Sequence, residues 1–219
     1  MPASTPVFSI REALRFGWQR TLDHLNPLIV LGLIAGALSA IANAASGVRG
    51  GFVLTLAVQL AQTFVGFVFL RALLRIAGGQ RVVLSRSEGW SDGFASYFVT
   101  TFLLGLLVAL GFVLLIVPGV LWGLRYGFAP FLVADKRLEP MAAFHESRRL
   151  TEGLRGELLG FVAVLILVNL LGALALGVGL LFSVPTTGLA AVFVYQKLLA
   201  RAEHVEPPHA EHGVTSWAT

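Results

Sequence analysis

Residues 97–134 read YFVTTFLLGLLVALGFVLLIVPGVLWGLRYGFAPFLVA, and this stretch decides the architecture. It holds no Asp or Glu and one charge, Arg125. As a single helix it would be about 57 Å long at ~1.5 Å per residue. The hydrocarbon core of a bilayer is only ~30 Å thick, so one crossing cannot use that length. Pro118-Gly119 supplies a reversal. Two spans are therefore predicted, 97–117 and a short 119–134.

The same length argument splits Leu158–Ala200 at Pro185, giving a long fifth span over 158–183, interrupted by Gly172, Gly177 and Gly179, and a short sixth over 185–200. Upstream, Asn26-Pro27 has the pattern of an N-cap followed by Pro at the first helical position. Span one covers 27–45 and span two 51–70, joined by a turn at 46–50. The fold expected is all-α: a polytopic membrane bundle of six transmembrane helices, arranged as three hairpins with interfacial amphipathic helices. Residues 1–26 form the first interfacial helix, 27–200 the transmembrane domain and 201–219 a disordered cytoplasmic tail. One alternative stays open, that the fourth and sixth elements are re-entrant.

Composition agrees. Of 219 residues, 56% are hydrophobic and 13% charged, against about 25% charged in soluble domains. Mean hydropathy is +0.81. Fourteen of the 16 cations are Arg, and the net charge is +4. Basic cytoplasmic loops explain that excess better than nucleic acid, which is not an expected partner. The absence of Cys excludes disulfides, thiolate metal sites and Cys nucleophiles. Met1–Pro6 is polar and Ser9–His24 mixes charged with apolar residues, so no cleavable leader is expected and the first span acts as the targeting signal.

The loops give the orientation. Arg11, Arg15 and Arg20 precede span one. Arg71, Arg75, Arg81 and Arg86 follow span two. Lys136, Arg137, Arg148, Arg149 and Arg155 follow span four, and Lys197 and Arg201 end span six. The opposite side holds only Arg49. Fourteen cations against one puts both termini in the cytoplasm.

Each pair of spans follows an amphipathic segment. Ser9-Ile10-Arg11-Glu12 and Ser85-Arg86-Ser87-Glu88 have the capping-box pattern, and Glu139-Pro140 opens the third. Ile10, Leu14, Trp18, Leu22 and Leu25 form one stripe, and Met141, Phe144, Leu154 and Leu158 another. Such helices lie in the headgroup region. Ala109-Leu110-Gly111 through Pro118 repeats the wording of Ala175-Leu176-Gly177 through Pro185, so internal duplication and plain recurrence of hairpins are both open. Small residues at fourfold spacing, Gly32-x-x-x-Gly36 and Gly119-x-x-x-Gly123-x-x-x-Gly127, are read as packing ridges within the bundle, with homodimerisation as the alternative.

Arg125 is the residue to explain. A charge at the bilayer centre costs about 2.5–3.5 kcal/mol on insertion scales. No carboxylate lies within any span. Gln59 and Gln62 on span two and Asn169 on span five are at comparable depth. The favoured reading is a hydrogen-bonded polar layer; the sharper one is an anion site for a lipid phosphate or polar substrate. No catalytic motif or acid–base pair is evident, so neither enzyme activity nor cofactor is expected. The His- and Glu-bearing tail, with His204, His209 and His212, is read as disordered, not metal-binding.

The stretch Leu114-Leu115-Ile116-Val117-Pro118-Gly119, then Arg125-Tyr126-Gly127-Phe128-Ala129-Pro130, then Ala143 through Ser147, Leu150 and Thr151, resembles the YciC-type bacterial membrane proteins. It is similar also to the membrane domain fused to some glycerophosphodiester phosphodiesterases. Ala13-Leu14-Arg15-Phe16-Gly17-Trp18 fits their opening interfacial helix. The resemblance implies a six-helix protein of the bacterial inner membrane and brings no active site. No phosphodiesterase domain is present, so that activity is not implied. The function expected is a non-enzymatic, accessory, scaffold or lipid-associated role. Membrane lipids, anionic ones included, a second copy or another membrane protein are the partners. The alternative is a small transporter or lipid-handling protein with a midplane anion site at Arg125.

A reporter fused after Thr219 is expected to stay cytoplasmic, and the chain to need detergent for extraction. An external reporter would refute the loop-charge argument.

Overall fold

The computed structural model describes residues 7–46, 51–80, 92–175 and 179–205. Among them the chain forms α1 (Ile10–Asp23), α2 (Leu25–Ser46), α3 (Gly51–Ala77), α4 (Phe94–Leu114), α5 (Ile116–Tyr126), α6 (Ala129–Lys136), α7 (Pro140–Leu150), α8 (Arg155–Leu174) and α9 (Leu180–Val205). No strand occurs among the described residues. Four stretches are long and apolar enough to cross a membrane: Val53–Ala77, Phe94–Leu114, Ile116–Lys136 and Arg155–Leu174. The pair α1 and Leu25–Ile41, bent by 94° at its junction, counts as a fifth if it is one span. Four or five such stretches stand among the described residues where six were expected. The shortfall includes α9, whose apolar content is diluted by Ser183, Thr186, Thr187, Gln196 and Lys197.

Helix boundaries depart from the sequence reading at both prolines. The α4–α5 reversal falls at Leu115, whose backbone is extended, and not at Pro118. Pro118 sits in the first turn of α5, where a missing N–H costs no intrahelical bond. The reversal is sharp because Gly111 and Gly119 meet backbone to backbone. A Cβ built on Gly111 would lie 2.6 Å from the Gly119 Cα. The expected 158–183 span likewise ends early. Helix α8 stops at Leu174, and Pro185 lies inside α9. Gly172 and Gly179 bring α8 against the start of α9, since a Cβ on Gly179 would lie 2.8 Å from the Gly172 Cα.

Helix α9 is the post around which the others gather. Leu189, Ala190, Val192, Val194 and Tyr195 are fully buried. Helices α1, α2, α3, α7 and α8 all touch it. Helix α1 grips it through a small-residue face, Ala13, Gly17 and Thr21, all buried. Gly17 lies so close to the Thr186 carbonyl that a Cβ would collide with it. The Thr186 hydroxyl donates to Thr21 Oγ1 (3.2 Å), which donates in turn to the Gly17 carbonyl (2.8 Å). The expected stripe is split: Ile10 and Leu14 pack against the core, while Trp18 and Leu22 are left exposed. Ser9 does occupy the N-cap of α1, without a side-chain capping bond. The segment holding Ser85 to Glu88 lies outside the described residues, as do 206–219 of the tail.

Of the glycine ridges, Gly119 and Gly123 face α4, where a Cβ built on Gly123 would lie 3.9 Å from a Val108 methyl, and Gly32 faces α9, where a built Cβ would lie 3.6 Å from a Leu181 methyl. A Cβ built on Gly127 would meet only the Gly123 carbonyl of its own chain segment, and one built on Gly36 would meet no other helix within 4 Å.

Packing and polar contacts should differ in weight. Overpacking a close helix contact costs about 1–3 kcal/mol, whereas a side-chain hydrogen bond between membrane helices averages about 0.6 kcal/mol. Gly17→Val is thus expected to lower the melting temperature in detergent markedly. Asn169→Leu, which removes bonds between α8 and α9, should lower it less. Thermal scanning of both variants checks the order.

Candidate functional site

Arg125 lies in the last turn of α5, half-buried. It does not stand alone in an apolar span. It shares a crevice with Leu124, Arg148, Thr151, Glu152, Arg155 and Leu158. The reason is local. Helix α5 has only 11 residues, about 17 Å of rise, so its end meets the charged connection between α7 and α8. Ser147 and Thr151 hold that end in place by donating hydroxyls to the Arg125 carbonyl, at 3.0 and 3.2 Å. The guanidinium carbon sits 5.9 Å from the Tyr126 ring centroid, within cation–π range. Glu152, contributed by the α7–α8 turn, is the neighbouring carboxylate that a search within the spans missed.

The polar layer expected from Gln59, Gln62, Asn169 and Arg125 is not assembled. Gln62 Nε2 donates to Ser39 Oγ at 2.9 Å and joins α2 to α3. Asn169 joins α8 to α9: its Nδ2 donates to Thr187 Oγ1 (3.1 Å) and its Oδ1 accepts from Ser183 (3.0 Å). Gln59 lines a separate cleft between α3 and α4 with Leu60, Thr63, Phe98 and Thr101. Each polar group serves a different helix pair, because a short hydroxyl or amide reaches only the helix it already touches.

Next to the Arg125 crevice runs an apolar groove of about 400 Å³. Leu103, Leu106, Leu107 and Leu110 of α4 form one wall. Tyr126, Met141 and Phe144 form the other, with Tyr126 and Phe144 in edge contact at 5.6 Å. His145 and Arg148 close the groove on its basic side. Arg148 lines both the groove and the crevice. Helix α7 positions these groups by burying Ala143, Ser147 and Leu150, which turns His145 and Arg148 outward. Apolar walls with convergent cations suit an amphiphile with a negative head. Among the described residues no cluster of three His, Asp or Glu could hold a metal.

Sequence reasoning also passed over Gly17 and Thr21. The available signal was a glycine inside an amphipathic helix, where it costs about 1 kcal/mol relative to Ala and calls for a close contact.

No protein-family profile matches the chain, and no solved structure matches it. It is 27% identical to the uncharacterized protein Mb2590 of Mycobacterium bovis, over 87% of this chain and 69% of that one. The uncharacterized protein MT2637 of Mycobacterium tuberculosis matches with the same identity and coverage. The uncharacterized protein Rv2560 of Mycobacterium tuberculosis is 26% identical over the same shares.

Proposed function

We propose that this chain is a multi-pass protein of the bacterial cytoplasmic membrane, related to the YciC-type proteins. Its role is non-enzymatic and accessory, and it holds an anionic lipid between α4, α5 and α7. In this reading the six crossings are α2, α3, α4, α5 with α6, α8 and α9. Helix α9 can be the sixth despite its polar residues because its neighbours cover it. Both termini are cytoplasmic, as the loop cations require. Helices α1 and α7 lie at the headgroup level, with Trp18, Leu22 and Met141 exposed toward the acyl boundary.

One observation carries the lipid assignment: Arg148 stands where the leucine-walled groove meets the Arg125 crevice. A single lipid could lay an acyl chain along Leu103 to Leu110 and bring its phosphate to Arg148 and Arg125. Guanidinium forks match phosphate oxygens in bidentate geometry. Buried acyl carbon adds about 0.8 kcal/mol per methylene to a soluble ligand's affinity, but a bilayer lipid is already in oil. Discrimination therefore comes from the head, through the arginines.

Native mass spectrometry of the protein released from membranes is expected to show bound phosphatidylglycerol or cardiolipin. Arg125→Ala and Arg148→Ala should each weaken retention about tenfold, the loss of one charge-assisted hydrogen bond. Equal retention by wild type and both variants would defeat the assignment.

A further inference from the structure

His145 stands beside Arg148 on the basic side of the leucine-walled groove. The two residues are three apart on α7, so their side chains leave one face of the helix with Cβ atoms about 5–6 Å apart. One phosphate group spans that distance. Burial of Ala143, Ser147 and Leu150 holds the opposite face of α7 inward, and His145 is exposed. Among the described residues no hydrogen bond or ion pair occupies its ring. His24 differs: its Nδ1 lies 3.3 Å from the Arg20 carbonyl of its own helix.

The charges around the imidazole decide what its protonation does. Of the described residues lining the groove, only Tyr126, His145 and Arg148 are ionisable, and α4 contributes leucines. On α7 itself, Glu146 pairs with Arg149 at 3.1 Å. Glu139 caps the far end of that helix, about 9 Å of rise from His145. At the end of α6, Asp135 accepts the Tyr195 hydroxyl at 3.0 Å, Arg137 meets Asp92 at 3.6 Å, and Lys136 lies in the last turn. Beyond Arg148 the crevice holds Arg125, Glu152 and Arg155. Between about pH 5.5 and about pH 8, carboxylates stay largely ionised, and tyrosine, lysine and arginine stay protonated. A phosphodiester keeps its charge over the same range. Among the described groove residues the imidazole alone changes charge there.

We infer, resting on the lipid assignment above, that His145 is a further headgroup contact of that site and makes lipid binding pH-dependent. The neutral ring donates one N–H. The protonated ring donates two and turns a positive charge toward the phosphate. Binding is therefore weakest above the imidazole range and strengthens as pH falls through it. Arg125 and Arg148 supply the part that does not titrate.

The test uses the full chain in phosphatidylcholine nanodiscs with a minor share of phosphatidylglycerol, equilibrated at about pH 8 and at about pH 5.5, either side of the imidazole range. Retained phosphatidylglycerol is counted by native mass spectrometry. Wild type is expected to hold it about fivefold more strongly at the lower pH, the scale of one exposed ion pair. His145→Ala should lose that difference and stay at or below the wild-type level of the higher pH. His145→Lys, charged at both pH values, should also show no difference and hold lipid at the stronger level throughout. A melting scan of each variant checks the fold, and His145→Gln takes the place of the alanine variant if that one melts early. Equal wild-type retention at the two pH values, or a difference that survives His145→Ala, would overturn this inference and leave the lipid assignment standing. No phosphatidylglycerol retained by wild type at either pH would defeat the lipid assignment and this inference with it.

Discussion

Close approach of helix backbones is the constraint on which this structure rests. In lipid, leucine gains nothing by leaving a hydrocarbon neighbour for another leucine, so apolar burial alone does not choose a partner. Dispersion contacts between closely matched surfaces do, and they need small residues. Gly111 against Gly119 closes the α4–α5 corner, Gly172 against Gly179 brings α8 to α9, and Gly17 seats α1 on Thr186 and Ala190. Each is a place where a methyl group would push two helices apart. The polar bonds, Thr186 to Thr21 and Asn169 to Ser183 and Thr187, lie beside these contacts and set register where packing has already brought the backbones near.

The two amphipathic helices that dock share a device. Helix α1 buries Ala13, Gly17 and Thr21; α7 and its cap bury Ala143, Ser147 and Thr151. Both rows are Ala, a small residue and Thr at fourfold spacing. In both, the final threonine hydroxyl contacts another helix, the Thr186 hydroxyl in one case and the Arg125 carbonyl in the other. This common docking face is firmer support for a repeated unit than the shared wording of the oily hairpins, because apolar sequences match one another easily. It also explains why Trp18, Leu22 and Met141 are left exposed: the small face makes the close contact, and these larger residues stand outside it.

Arginine placement divides the chain's cations into two kinds. Among the described residues, most sit on the short amphipathic helices α1 and α7 or near helix ends. Arg125 and Arg71 lie within largely apolar helices, and each finds a polar recess made by elements distant in sequence. For Arg125 it is the end of α7 and the turn into α8; for Arg71 it is the end of α6 and the side of α9. A guanidinium in a low-dielectric setting is expensive unless partnered. The break after Tyr126 lies beside the Arg125 crevice, whereas α3 runs unbroken past Arg71.

Helical class, the apolar spans and the amphipathic character of α1 and α7 were legible in the residues alone, because hydrophobic length and period are local properties. The turn positions were misread at Pro118 and Pro185, since proline permits a reversal without requiring one, and the deciding contacts were between glycines on facing helices. The grouping of Gln59, Gln62, Asn169 and Arg125 failed for the same reason: similar depth along separate helices says nothing about which sides face each other. The crevice at Arg125, the groove beside it and the cavity at Arg71 exist only once α6, α7 and α9 are folded against the spans. Their charges come from segments dozens of residues apart, and no periodicity in a chain encodes that proximity.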